Sequence, residues 1–369
     1  MSFFVLILTL VGKKINLSDR IILKEALNQN SFGNIIQLLK RIFKYTVIFE
    51  LLGAIILSTV FIPEFGISKG LFYSIFHSIS AFCNAGIDIL GENSVINYSS
   101  NALISITFML LIIIGGLGFT VWTDISSAIK KRIKEKLSYR KLIKELTLHT
   151  KIVVITTVIL LVSGTLFVFI FEYSNLTTMA NNTLGEKLLK SAFQSTTLRT
   201  AGFSSINQNE MTTVTKLISI CYMFVGGSPG STAGGIKNVT SLIVILLVFT
   251  YMKDKEKINL FRKNIPEATV RRAIVVFALS IFIVILGTIA LLLSETFIKE
   301  EIFSAEIASI YTISFMEILF EVVSAFGTVG LTLGITTSLT VIGKVILIIL
   351  MIIGRLRSND NLSCFTKTK

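Results

Sequence analysis

The chain has 369 residues, of which 52% are hydrophobic and only 15% charged, and its mean hydropathy is +0.78; soluble domains carry about a quarter charged residues, so this is the composition of a polytopic membrane protein. The formal net charge of +13 does not point to nucleic acid, because the basic residues lie in short runs between apolar stretches, as lysine and arginine do in cytoplasmic loops. Two histidines and three cysteines without paired spacing (Cys83, Cys221, Cys364) give no disulfide framework or zinc site and leave metalloenzyme chemistry little to work with.

In chain order, Met1 to Val11 is apolar but half the length of a span, and Lys13 and Lys14 follow it. A secretory signal carries its charges before the apolar core, so this stretch reads as the inner half of a helix whose outer half is absent. A span needs about 20 mostly apolar residues, which predicts crossings near 43–62, 102–124, 152–173, 268–294 and 338–354. The stretch 214–252 is too long for one plain span. Basic clusters (Lys40, Arg41 and Lys44; Lys130 to Lys144; Lys253 to Arg272) alternate with short or acidic loops such as that holding Glu295, Glu300, Glu301 and Glu306. That asymmetry predicts cytoplasmic basic loops.

One phrase recurs three times: Ser80 to Ile87, Thr196 to Phe203 and Ser324 to Leu331. Each copy has a hydroxyl residue six places before a glycine and a small polar residue two places before it. Each follows a short amphipathic run, near 71–82, 186–197 and 312–326, too short to span and suited to a re-entrant helix buried in protein. All three loops fall on the side opposite the basic clusters. Glycine lets such a loop turn its carbonyls toward an axis, and a ring of backbone carbonyls can replace the hydration shell of a potassium ion. The expected donors are Asn84, Ala85 and Gly86; Thr200, Ala201 and Gly202; Thr328, Val329 and Gly330. Arg199 beside the second loop reads either as electrostatic tuning or as a structural tie to loop carbonyls, the latter preferred. His77 and Cys83 read as packing residues.

A second signal interrupts 214–252: Gly226, Gly227, Ser228, Pro229, Gly230, Ser231, Thr232, Ala233, Gly234, Gly235, Ile236 and Lys237. Its lysine comes one place too late for a phosphate-binding loop. Irregular backbone at membrane depth is tolerated only inside protein or beside water. Two readings stay open, a gate beneath the loops or a kink whose small residues allow close packing.

Together these phrases, with Lys24 to Asn30 and Glu321 to Thr332, resemble the Trk/Ktr/HKT superfamily of potassium transporters, most of all its Ktr-type membrane subunit. The resemblance implies an all-α membrane protein with helix–pore-helix–helix units around a pseudo-fourfold pore. Three of the four units are expected here: residues 41–149, 150–266 and 267–369, preceded by a remnant helix and cytoplasmic loop over 1–40. It implies potassium uptake gated by residues 226–237, no enzymatic activity and no cofactor. Membrane lipid, a second copy of the chain and a cytosolic nucleotide-binding regulatory subunit are the implied partners, with the glycine loops facing outward. Arg355 reads as pointing at the gate or as a surface anchor, and the polar tail Leu356 to Lys369 departs from the family. Sodium transport and a truncated, non-conducting remnant are the alternatives.

Overall fold

The structure, a computed structural model, describes residues 35–91, 94–136, 138–255, 257–260, 263–302 and 314–357. The expected remnant at Met1 to Val11, the Lys24 to Asn30 phrase and the polar tail after residue 357 lie outside them. Helix α1 (Ile35–Phe65) turns at Gly66 into α2 (Ile67–Phe82). Then come α3 (Ala102–Leu117), α4 (Phe119–Glu135), α5 (Tyr139–Glu145), α6 (Leu148–Glu172), α7 (Leu184–Thr197), α8 (Thr213–Phe224) and α9 (Asn238–Tyr251). A two-stranded antiparallel hairpin, β1 (Asn259–Leu260) and β2 (Lys263–Asn264), leads to α10 (Glu267–Ile302), α11 (Phe315–Gly327) and α12 (Val341–Arg357).

Among the described residues, three helices are long and apolar enough to cross a membrane, over Leu39–Phe65, Leu148–Glu172 and Glu267–Thr296. Their outer faces leave Leu51, Ile159 and Phe282 more than half exposed, as lipid-facing side chains are. The sequence predicts one straight span over 102–124; instead α3 and α4 meet at a 95° bend. Gly118 makes the corner at φ 90°. A Cβ there would lie 2.8 Å from Pro229 O, and the Phe119 N–H donates to Gly230 O at 3.0 Å. The stretch 214–252 likewise divides into α8 and α9 around the irregular residues 225–237.

The described residues form three like units, each a long helix, a short helix and a return through a glycine loop: α1–α2–α3, α6–α7–α8 and α10–α11–α12. Short helices α7 and α11 begin with capping boxes, Thr183 with Glu186 and Ser314 with Glu317, which satisfy free N–H groups at the helix start. The Thr183 backbone N–H, first among its donors, holds the Glu186 carboxyl below its ordinary range. In two units a serine of the short helix donates into the long one, Ser78 to Glu50 O at 2.6 Å and Ser195 to Leu161 O at 2.9 Å. Gly53 and Gly164 face those hydroxyls, and a methyl at either would collide with its serine. A carboxylate near the end of the long helix then holds the start of the returning one. Glu172 accepts from the Thr212 N–H and hydroxyl, and Glu295 accepts the same two bonds from Thr340.

At the opposite end, Asp124 of α4 accepts the Thr147 N–H at 2.9 Å, the Thr147 hydroxyl at 2.8 Å and the Thr150 hydroxyl at 2.6 Å. This pins the start of α6 to α4. Asp124→Ala is expected to lower stability by about 2 kcal/mol, the worth of a helix cap plus a stranded hydroxyl, read as a lower thermal midpoint in detergent.

Candidate functional site

The three glycine loops follow the C-terminal ends of α2, α7 and α11 and meet at one place. A Cβ on Gly86 would lie 2.6 Å from Ala201 O and 2.8 Å from Gly202 Cα. One on Gly202 would lie 3.0 Å from Gly86 Cα and 3.5 Å from Gly330 Cα, and would collide with Val329 O. Gly202 is therefore the middle of the group, and its loop is buried from Thr196 to Phe203, whereas Ala85 and Gly330 on the flanking loops are exposed. All three glycines have positive φ (67°, 83° and 92°), and so do Asn84, Thr200 and Thr328 two places earlier (51°, 67° and 50°). Positive φ is uncommon outside glycine, so its recurrence at both positions marks one backbone design used three times. The Thr200 and Thr328 hydroxyls are buried without a hydrogen-bond partner.

Each loop is held by a hydroxyl that donates to the carbonyl just after its glycine: Ser80 to Ile87 O, Thr197 to Phe203 O and Ser324 to Leu331 O, each at 2.6 Å. In the second loop the hydroxyl six places before the glycine is Thr196, and that side chain bonds Ala192 O within α7. The cause is a one-residue difference in how the helix ends. In the first and third loops Ala85 and Val329 donate back five residues, to Ser80 O and Ser324 O, but in the second Ala201 donates back four, to Thr197 O.

Three residues before each holding hydroxyl stands a buried polar side chain that sequence reasoning missed or took for packing: His77, Gln194 and Glu321. The His77 ring accepts the Ile89 N–H at Nε2 (3.3 Å) and bonds Tyr73 O through Nδ1 (2.7 Å). Because Tyr73 O only accepts and the Ile89 N–H only donates, the proton sits on Nδ1. Gln194 and Gln208 exchange two amide bonds, at 2.7 and 3.0 Å. Glu321 accepts from the hydroxyls of Thr332 and, at 3.0 Å, Thr336. The available signal was a polar residue amid apolar ones nine, eight and nine places before the glycine, hidden because the offset slips by one in the second loop and because His, Gln and Glu share no chemistry at sequence level. Glu321→Leu takes the shared acceptor from the part-exposed Thr332 and Thr336 hydroxyls and is expected to cost about 1–2 kcal/mol, with Glu321→Gln intermediate; thermal midpoints in detergent measure both.

Above the glycines opens a vestibule of about 420 Å³ lined by Asp88, Ser94, Ser204, Asn207, Gln208 and Thr332 among others, with Gly86, Gly202 and Gly330 at its floor. Below them lies the 226–237 segment. Gly226 N–H donates to Ile236 O at 2.8 Å, closing it into a loop. The Thr232 hydroxyl donates to Asn84 Oδ1 at 3.1 Å and Phe82 O at 3.3 Å, and Gly234 packs on Thr328 and Gly327 O. Ser228 N–H and Thr232 N–H donate to Gly116 O (3.0 Å) and Gly115 O (3.4 Å), and the Ser228 hydroxyl donates to Leu117 O. Those are the carbonyls that the end of α3 leaves open. Buried Lys237 donates to Ala233 O at 2.8 Å. The segment thus contacts the first and third glycine loops at once.

Arg199 is buried, and its side chain reaches Thr157 of α6 at 3.4 Å rather than loop carbonyls, while its own carbonyl accepts from the Asn84 amide at 3.4 Å. The expected tie is therefore to a long helix. Cys83 packs with its sulfur 4.0 Å from Glu50 Oε1. Arg355 sits exposed in the last turn of α12. Its neighbour Gly354 lines a small cavity shared with Gly235, Ile236 and Lys237.

A helical protein with apolar spans, three inward-turning glycine loops and an irregular segment beneath them is a multi-pass membrane protein organised around a central passage. The sequence matches the TrkH family, cation transport proteins, over residues 1–366, and the chain belongs to that family; it is a membrane transporter and not an enzyme. It is 40% identical over 351 residues to the potassium/sodium uptake protein NtpJ of Enterococcus hirae, covering 95% of this chain and 72% of that one. It is 38% identical over 369 residues to the Ktr system potassium uptake protein B of Bacillus subtilis, covering 100% and 76%. The crystal structure of the potassium transporter TrkH from Vibrio parahaemolyticus shares the fold, with a TM-score of 0.69 at 15% identity, covering 95% of this chain and 68% of that one.

Proposed function

We propose that this chain carries potassium ions across the cytoplasmic membrane, past backbone carbonyls of Asn84–Gly86, Thr200–Gly202 and Thr328–Gly330, with residues 226–237 as the gate beneath them. The observation that carries this reading is the meeting of three loops of like backbone at Gly202, floored by a segment hydrogen-bonded to the first of them and packed on the third. The orphaned hydroxyls of Thr200 and Thr328 support it, since a buried oxygen without a donor suits a dehydrated cation. The vestibule, with Asp88 in its wall, supplies a polar approach from the side opposite the basic loops, which face the cytoplasm. Sodium is the second reading, favoured by the name of the Enterococcus relative.

The relatives named for a Ktr system favour work with other subunits. A second copy of the chain and a cytosolic nucleotide-binding protein are the partners this reading assigns, and Arg355 beside the 235–237 cavity is placed to act on the gate. The test is rubidium uptake by potassium-uptake-deficient bacteria. The sole uptake protein would be either this chain or the Bacillus relative carrying residues 41–357 of this chain in place of its own. Uptake that potassium suppresses better than sodium, lost in Gly202→Ser, is expected. Uptake indifferent to Gly202→Ser, or equal suppression by both ions, contradicts the potassium reading.

A further inference from the structure

The 95° bend at Gly118 sends α4 across the direction of the spans. Its level is fixed by its contacts. The Tyr45 hydroxyl bonds Ser126 at 2.6 Å, and Tyr45 lies some 30 Å along α1 from the Gly66 turn, at 1.5 Å per residue. Asp124 bonds Thr147 at the very start of α6. Helix α4 therefore lies along the basic side of the protein, at the ends of the spans. It is buried at Val121, Trp122 and Ala128, but one side of its second half is open. Ile129 and Ile133, one turn apart, are 44% and 74% exposed, and Ile143 of α5 is 58% exposed. Lys130 and Lys134 run beside that stripe, one residue on from each isoleucine. Between residues 130 and 145 there are eight basic residues and two acidic ones, Glu135 and Glu145, and Glu145 is taken by Lys131 at 2.7 Å.

We propose that α4 and α5 form a platform that binds anionic phospholipid headgroups of the leaflet on the basic side of the protein. A plain solvated face accounts for the lysines but not for the isoleucine stripe. A helix lying in the membrane plane, apolar on one side and lysine-rich beside it, has the pattern of an interfacial helix whose long cationic chains reach to the headgroups. Charge complementarity selects anionic lipid, because a juxtamembrane cluster of this sign is drawn to acidic lipid within a Debye length. Since Phe119 at the head of α4 donates to Gly230 O, a platform held by lipid also holds one wall of the 226–237 segment.

The test uses the purified full chain in detergent, titrated with phosphatidylglycerol or phosphatidylcholine while the thermal midpoint is read. Phosphatidylglycerol is expected to stabilise more strongly. In the variant Lys130→Gln, Lys134→Gln, Arg140→Gln, Lys141→Gln its half-maximal effect should need about tenfold more lipid or beyond, with the phosphatidylcholine response unchanged. An independent arm places Ile133→Trp in vesicles of equimolar phosphatidylglycerol and phosphatidylcholine. There brominated phosphatidylglycerol should quench it far more than the parent, whose only tryptophan, Trp122, is buried. An unchanged phosphatidylglycerol titration in the quadruple variant overturns the proposal. So does an Ile133→Trp that stays open to water in those vesicles, and its shielding by a cytosolic protein would give the surface to that protein instead. Neither arm reads ion transport, so failure here is separable from failure of the potassium reading.

Discussion

Gly202→Ala is expected to abolish selective uptake, while Gly330→Ala retains part of it and Gly185→Ala retains all. The ranking follows from what each new methyl meets. At Gly202 it would strike Val329 O and crowd Gly86 Cα at 3.0 Å, so two backbones must move, and backbone in a packed interior does not yield as a flexible side chain does. The φ of 83° adds the left-handed penalty of an L-residue, about 1–2 kcal/mol. Together these reach about 3 kcal/mol or more, over a hundredfold in an ion-binding constant. At Gly330 the nearest atom is Gly202 Cα at 3.6 Å, an ordinary contact, leaving only the strain of φ 92°. Gly185 meets nothing within 4 Å and lies in the exposed first turn of α7, where alanine is the better helix former. Rubidium uptake in competition with potassium and sodium, measured for all three variants in the Bacillus chimera, checks the order. Equal behaviour of Gly202→Ala and Gly330→Ala would remove Gly202 from the centre of the site.

What the sequence makes legible here is whatever repeats by residue type. The apolar runs, the helical class and the three glycine phrases follow from hydropathy and spacing. The start of α7 is readable because Thr183 and Glu186 stand at capping-box distance. The packing that supports the loops is not legible in the same way. Gly53 and Gly164 occupy like positions against Ser78 and Ser195, yet a lone glycine in an apolar run looks incidental until its neighbour is known. His77, Gln194 and Glu321 solve one problem, fixing the strand after the glycine, with three chemistries. The one-residue difference that passes the second loop from Thr196 to Thr197 is set by where α7 stops, and boundaries at that precision depend on cap geometry rather than propensity.

The bend at Gly118 shows the same limit from another side. Residues 102–124 satisfy the hydropathy of a span, and Gly115, Gly116 and Gly118 each weaken a helix by about 1 kcal/mol without forcing a corner. The corner is made by a tertiary exchange. Three carbonyls at the end of α3 take N–H and hydroxyl donors from Ser228 and Thr232, and Gly230 O takes the first N–H of α4. Open backbone groups at that depth would each cost several kcal/mol in hydrocarbon, so the bend and the 226–237 segment require one another.

That mutual dependence leads to the other large expected effect. Thr232→Val should raise ion flux by an order of magnitude in the chimera and blunt its regulation, while leaving the potassium preference intact. The substitution keeps the shape of the side chain and removes the hydroxyl that donates to Asn84 Oδ1 and Phe82 O, the side-chain link from the segment to the first glycine loop. The one hydroxyl hydrogen is shared between the two acceptors, worth about 1–1.5 kcal/mol net, and the loss falls only on the state in which the segment is docked. That shifts a two-state equilibrium about tenfold toward the undocked form, limited in flux by whatever step then becomes slowest. Backbone bonds from Ser228 and Thr232 to the end of α3 persist, so the variant keeps its bend and its fold, and a thermal midpoint in detergent lowered by less than in Asp124→Ala verifies this. Deleting Ser231 to Gly235 should act in the same direction more strongly, because it also removes Gly234 from Thr328. Selectivity should hold in Thr232→Val because the glycines and their holding hydroxyls Ser80, Thr197 and Ser324 are untouched. A stably folded Thr232→Val with ordinary, still regulated flux would mean that residues 226–237 are a fixed wall of the passage, and that control of conduction lies elsewhere.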